Sequence, residues 1–230
     1  MNPSPKYSPV GDRALLVKFG EAIDLGINRK VLALNRTIEE AHIKGAGECV
    51  PTYASLLIYY DPLMTSYERM VFALKDLEPK VDEHSAKIEV RTIIVPTVYG
   101  GIFGPDLPSV AEYHKLAETE VIRLHSEIDY MVYMIGFIAG FPYMGKVPEA
   151  IATPRLETPR LKVAAGSVGI AGSQTGIYPR ESPGGWRIIG RTPLVLFDPF
   201  AAEPALFRPS DRVRFKSISE KEYKALGRKI

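Results

Sequence analysis

A chain of 230 residues, 46% hydrophobic and 24% charged, has the composition of a globular protein with room for one large or two small domains. Its 29 basic and 27 acidic side chains leave a formal net charge of +2, which argues against the clustered basic face that nucleic-acid binding needs. The single cysteine, Cys49, excludes an intramolecular disulfide and fits a reducing, cytoplasmic setting. The opening MNPSPKYSPVGDRALLVKFG lacks the charged start and apolar run of a signal peptide. No apolar run approaches the roughly 20 residues of a bilayer span.

Residues 1–10 are rich in Pro and Ser and are expected to be poorly ordered. Ala14–Phe19 reads as a strand. Asp24 is the expected N-cap of a helix carrying Ile27, Val31, Leu34, Ile38 and Ala41, closed by Gly45. Glu48–Pro51 and Ser55–Tyr60 read as strands, the second ended by Asp61–Pro62. Thr65–Glu68 has the S/T-x-x-E form of a capping box ahead of Val71, Leu74 and Leu77. Lys80–Ser85 is polar and marks an expected boundary, and Ile88–Val95 is the next strand. The order β-α-β-β-α-β predicts an α+β domain of the ferredoxin-like, split βαβ kind over residues 1–85.

Residues 86–230 read as a second, mainly-β domain with short helices. Asp106 is the expected cap of a helix with Val110, Tyr113 and Leu116, followed by a short helix at Glu118–His125. Asp129–Ile135 reads as a strand. Val168–Ile170, Trp186–Ile189, Leu194–Phe197 and Val213–Phe215 are short apolar runs between turns, a spacing that fits either a barrel or a sandwich. Lys221–Ile230 reads as a basic terminal helix.

The motifs of autonomous chemistry are missing. There is no G-x-x-x-x-G-K-[ST] phosphate loop, no H-E-x-x-H and no G-x-S-x-G, and His42, His84, His114 and His125 are scattered, so no metal is expected. Candidates concentrate between Gly136 and Pro199. Phe137, Phe141 and Tyr143 in GFIAGFPYMG are expected pocket walls. The repeated Thr-Pro-Arg at 153–155 and 158–160 offers Arg160 as a carboxylate or phosphate clamp, with Arg155 read as a solvated loop cation. Backbone N–H groups around Gly166–Gly169 and Gly172–Gly176 are a candidate anion nest or oxyanion hole. Gly166, Ser167, Ser182, Gly184, Gly185 and Trp186 are candidate substrate-binding residues. Gln174, Tyr178 and Arg191 are candidate catalytic groups, and Arg180 and Glu181 add charge to the same span. His125 is a candidate general base, weighed against a plain role at a helix C-terminus. Nothing reads as a nucleophile, and Cys49 reads as core.

Four segments together resemble the KipI / PxpB family, also called allophanate hydrolase subunit 1. They are YGGIFGPDL (99–107), GFIAGFPYMG (136–145), AGSVGIAGSQTGIYP (165–179) and SPGGWRIIGRTPLVLFDP (182–199). The resemblance covers nearly the whole chain, most strongly Val95–Phe215. It implies a small α/β domain followed by a cyclophilin-like β-barrel. It further implies the PxpB component of an ATP-dependent 5-oxoprolinase, which opens 5-oxo-L-proline to L-glutamate. The implied partners are a KipA/PxpC-type subunit and a LamB/YcsF (PxpA)-type subunit, with ATP and its Mg2+ counter-ion bound together with a partner. KipI itself inhibits a sporulation histidine kinase, and related domains occur in urea amidolyase. A kinase inhibitor and an allophanate hydrolase or urea carboxylase-related subunit are therefore the alternative expectations. The family pattern has Pro where this chain has Ala139 and Ala164; neither change removes a polar group.

Overall fold

In the computed structural model, which describes residues 4–86 and 90–227, the chain divides into two units, residues 1–89 and 90–230. The first unit contains β1 (Lys6–Val10), β2 (Ala14–Lys18), α1 (Leu25–Ala41), β3 (Ala46–Pro51), β4 (Ser55–Tyr60) and α2 (Tyr67–Ala86). Its strands form one antiparallel sheet in the order β1-β2-β4-β3.

Residues expected to be poorly ordered instead supply β1, in register Tyr7↔Val17 and Pro9↔Leu15. An edge strand tolerates Pro9, because its missing N–H costs a bond only where a second neighbour would pair. Tyr7 also donates its phenol hydrogen to Glu78 (2.7 Å). Met1–Pro3 of that expectation lie outside the described residues. Asp24 caps α1 as expected, its Oδ1 accepting from the Ile27 N–H (3.0 Å). Val31, Leu34 and Ile38 are buried in one cluster with Leu15, Val17, Leu56 and Ile58. Burial of each such side chain contributes about 1.5–3 kcal/mol.

α2 departs from the expectation at both ends. Its first turn is served by Ser66, whose Oγ accepts from the Arg69 N–H (3.3 Å), rather than by Thr65. It then passes through Pro79 to Ala86, so the polar 80–85 stretch is helical. Tertiary contacts override local composition here. Val81 is buried, Asp82 meets Lys30 (3.2 Å), and His84 Nδ1 meets Thr37 Oγ1 (2.9 Å). Of the strand expected at Ile88–Val95, Ile88 and Glu89 lie outside the described residues. The strand that follows starts at Thr92 and belongs to the second unit, so β1 takes the sheet position expected for it.

The second unit runs β5 (Thr92–Tyr99), α3 (Leu107–His114), α4 (Glu118–Ser126), β6 (Asp129–Ile135), β7 (Pro142–Gly145), β8 (Arg160–Val163), β9 (Ser167–Ala171), β10 (Gln174–Ile177), β11 (Ser182–Gly184), β12 (Arg187–Arg191), β13 (Arg212–Ser217) and α5 (Glu220–Gly227). Seven of these strands close a barrel in the order β10-β7-β6-β13-β5-β12-β9. β13 pairs parallel with β5, and the other neighbours are antiparallel. β8 and β11 form a separate ribbon. Alternation places Val132, Val213 and Phe215 inside, where they pack with Val95, Tyr130, Met144 and Ile170.

Leu194–Phe197 is not a strand. Only Phe197 pairs, in a lone bridge with Ala205. Pro193 and Pro199 flank the run and supply no ladder donors, while Leu196 packs into the core. Asp106 precedes α3 but makes no side-chain cap. Its carboxylate accepts from Arg160 Nη2 (2.5 Å) and the Ile188 N–H (2.6 Å) instead. The basic terminus is helical through Gly227, and residues 228–230 lie outside the described residues. Among the described residues, no helix is long and apolar enough to cross a membrane.

Candidate functional site

Two runs far apart in sequence meet beside the barrel. After β6 the chain turns back through Gly136–Gly140. Phe137 adopts φ 67°, in the left-handed region that favours glycine, and its side chain is left 61% exposed. Gly140, with φ 83°, passes so close to Phe197 that an added Cβ would lie 2.7 Å from the Phe197 Cβ. Phe141 then becomes a hub. Its ring centroid lies 4.8 Å from Tyr143, 5.2 Å from Tyr178, 5.3 Å from Trp186 and 5.7 Å from Phe137. The contacts are edge-on or tilted, the arrangement ring quadrupoles prefer, worth about 0.5–1.5 kcal/mol each.

The β8–β11 ribbon forms the other wall, with Gly184 opposite Arg160. A Cβ at Gly184 would fall 2.3 Å from the Tyr178 Oη, and Tyr178 is too buried to move aside. The loop ahead of β8 is fixed by the Leu156 N–H on the Gly185 carbonyl (2.7 Å) and by Arg187 Nε on the Pro154 carbonyl (3.3 Å). Between these two anchors Arg155 lies over the Trp186 ring, its guanidinium carbon 5.9 Å from the centroid.

These elements enclose a cavity of about 580 Å3. Phe141, Tyr178 and Trp186 are buried at its floor, and Arg155, Arg180 and Glu181 are exposed at its rim. Burial pushes the Tyr143 and Tyr178 phenols up, and the Arg155 charge pulls both partly back. At Tyr178 the backbone of Trp186 adds a hydrogen bond in the same direction as Arg155. An aromatic floor under cationic groups can hold a small apolar ring that carries an anionic substituent.

Of the residues singled out in the sequence, Phe137, Phe141, Tyr143, Tyr178, Ser182, Gly184, Gly185 and Trp186 line this cavity. Gln174, Arg191, His125, Arg160, Gly166 and Ser167 do not. The two Thr-Pro-Arg arginines take different partners. Arg160, the first residue of β8, turns to Asp106, while Arg155 faces the rings. The repeat is the only signal for Arg155, and it does not say which arginine meets the rings.

His125 is fully buried. Thr175 Oγ1 donates to the Gly169 carbonyl (3.0 Å), so it accepts from His125 Nε2–H (2.9 Å). His125 Nδ1 then accepts from the Tyr99 phenol (2.8 Å). The ring packs on Phe215 and Tyr130, and burial lowers its pKa to about 3. The residue offered as a general base is thus a buried, neutral imidazole inside the barrel, outside the lining of this cavity.

A scan against family models matches residues 5–207 to the carboxyltransferase domain, subdomain C and D. The chain is 43% identical to the B-type subunit of 5-oxoprolinase from Bacillus subtilis (strain 168), over 94% of each. The chain belongs to this family. Among solved structures, it is 49% identical to a conserved uncharacterized protein from Pyrococcus horikoshii, covering 95% of this chain and 100% of that one, with a TM-score of 0.57. It also matches the crystal structure of TTHA0988 with 38% identity and a TM-score of 0.79, over 90% of this chain and 40% of that longer one.

In this member of the family the glycine-rich run does not form the expected anion nest. The Gly166 N–H donates to the Tyr178 carbonyl (2.7 Å), Ser167 to Ala164 (3.2 Å) and Gly172 to Thr153 (2.8 Å). Gly169 and Gly176 sit opposite each other in the β9–β10 ladder. These glycines serve packing: a Cβ at Gly166 would lie 2.3 Å from the Thr192 carbonyl oxygen, and one at Gly176 would lie 2.8 Å from Phe141. The N–H groups of Gly166, Ser167 and Gly172 are therefore already used. Arg191 instead lies over Phe103, its guanidinium carbon 5.7 Å from the ring centroid. Cys49 lies in the other unit, and burial pushes its thiol up to about 11. Among the described residues, no group of acids, histidines and cysteines could hold a metal.

Proposed function

We propose that this chain is the PxpB-type subunit of an ATP-dependent, 5-oxoprolinase-type amide hydrolase, working in the cytoplasm with KipA/PxpC-type and LamB/YcsF (PxpA)-type subunits. The observation that carries this reading is the 43% identity, nearly end to end, with the corresponding 5-oxoprolinase subunit of Bacillus subtilis. The proposed reaction converts 5-oxo-L-proline, ATP and water to L-glutamate, ADP and phosphate. A lactam is a poor electrophile, and ATP, with Mg2+ as counter-ion, supplies the driving force through phosphoryl transfer. The aromatic cavity is read as this subunit's share of the active site. Its rings hold the substrate and exclude water, and its rim orients the charged end. With no phosphate loop and no free backbone nest in the glycine run, ATP handling is assigned to the partner subunits. The fold reading that accompanies this function is a ferredoxin-like domain followed by a cyclophilin-like barrel, split near residue 85.

The test is reconstitution. The chain is co-purified with the two partner types, and 5-oxoproline-dependent ATP hydrolysis is measured. The assembled complex should turn over, and omission of this chain should abolish turnover. An assembled complex that shows no 5-oxoproline-dependent hydrolysis refutes the reading.

A further inference from the structure

The charges around the aromatic cavity are unevenly committed. Glu181 lies 3.3 Å from Lys162 Nζ, and Arg160 is turned to Asp106. With Glu181 beside Lys162, Arg155 and Arg180 are the cationic side chains of the lining. Arg155 is also the one of these whose charge is felt by both Tyr143 and Tyr178, and its guanidinium lies over Trp186.

Resting on the reading of this cavity as a substrate site, we propose that Arg155 is the specificity-determining residue that reads a single carboxylate on a small ring held against Tyr143, Tyr178 and Trp186. A guanidinium drawn over an aromatic ring by the ring quadrupole still has N–H groups to offer a carboxylate. Anchors on both sides of Arg155, at Pro154 and Leu156, hold the loop that carries it. A triphosphate carries more negative charge than the two arginines of this lining offset, and no lysine is among the lining residues.

Trp186 is the only tryptophan in the chain, so its emission reports occupancy of this cavity directly. The full chain is titrated with 5-oxo-L-proline, with the uncharged 5-oxo-L-prolinamide, and with ATP. The acid should bind about 10- to 100-fold more tightly than the amide, the range for a hydrogen bond to a charged group. Arg155→Met should remove most of that preference, weakening acid binding far more than amide binding. Arg155→Lys should recover part of it, keeping the charge but losing the planar fork. Arg155 is exposed, so both variants should melt with the wild type.

Equal binding of acid and amide overturns the proposal, as does a wild-type preference retained in Arg155→Met. An Arg155-dependent response to ATP in place of the acid overturns it too. So does the absence of any Trp186 response to the acid up to about 10 mM, tenfold above the usual range of Michaelis constants. An Arg155-dependent preference in a chain whose assembled complex shows no turnover would refute the proposed activity and leave Arg155 as the carboxylate reader. Turnover without that preference would do the reverse.

Discussion

Acidification should destabilise the barrel through His125. Folded, it is neutral and fully buried, with a pKa of about 3 against an ordinary value of 6.5. Its contacts are the Tyr99 phenol, Thr175, Tyr130 and Phe215, none of which titrates in this range. The unfolded chain therefore takes up a proton that the folded chain refuses. Stability is full above the unfolded value and is lost as pH falls from about 6.5 towards about 3. The loss is about 1.4 kcal/mol at about pH 5.5 and about 2 kcal/mol at about pH 5, since each pKa unit is worth 1.36 kcal/mol. Other groups also titrate, so the measurement is a difference. Urea unfolding, followed by Trp186 emission, is compared between wild type and His125→Gln from about pH 7.5 to 5. Gln can accept from Tyr99 and donate to Thr175 without titrating. The variant starts less stable, but the gap should narrow by about 1.4 kcal/mol per pH unit once the pH is well below 6.5. Parallel curves would refute the assignment of His125 as a neutral, buried pillar.

Two further substitutions test the supports of the cavity. Gly184→Ala should cost about 1–3 kcal/mol, read as a lower melting temperature, because the new methyl is driven into Tyr178; a neutral result would mean that the ribbon is not packed against that ring. Asp106→Asn places an amide N–H against either Arg160 or the Ile188 N–H, since both carboxylate oxygens are accepting. It should cost about 1–3 kcal/mol in urea unfolding, and an unchanged midpoint would remove Asp106 as the tie between α3, β8 and β12.

The sequence by itself determined the elements whose signal is local. Asp24 capping α1, the strand at Ser55–Tyr60 and the strand at Asp129–Ile135 are set by side-chain periodicity and hydrogen bonds within a few residues. The sequence also placed the aromatic residues Phe141, Tyr143, Tyr178 and Trp186 among turns, and its motifs led to the family to which the chain belongs. Tertiary structure decided what local patterns leave degenerate. β1 is a strand because β2 offers it an edge, and the polar end of α2 is helical because α1 supplies partners for it. Barrel closure turned the glycine run from a prospective anion nest into ladder and close packing, since hydrogen-bond donors are spent by whichever neighbour the fold brings. The same holds for charge. Arg155 and Arg160 carry identical local signatures, and only the start of β8 at Arg160 sends one to Asp106 and leaves the other over Trp186. A side chain's type fixes what it can bind. Its partner is fixed by long-range packing, which no window of the sequence contains.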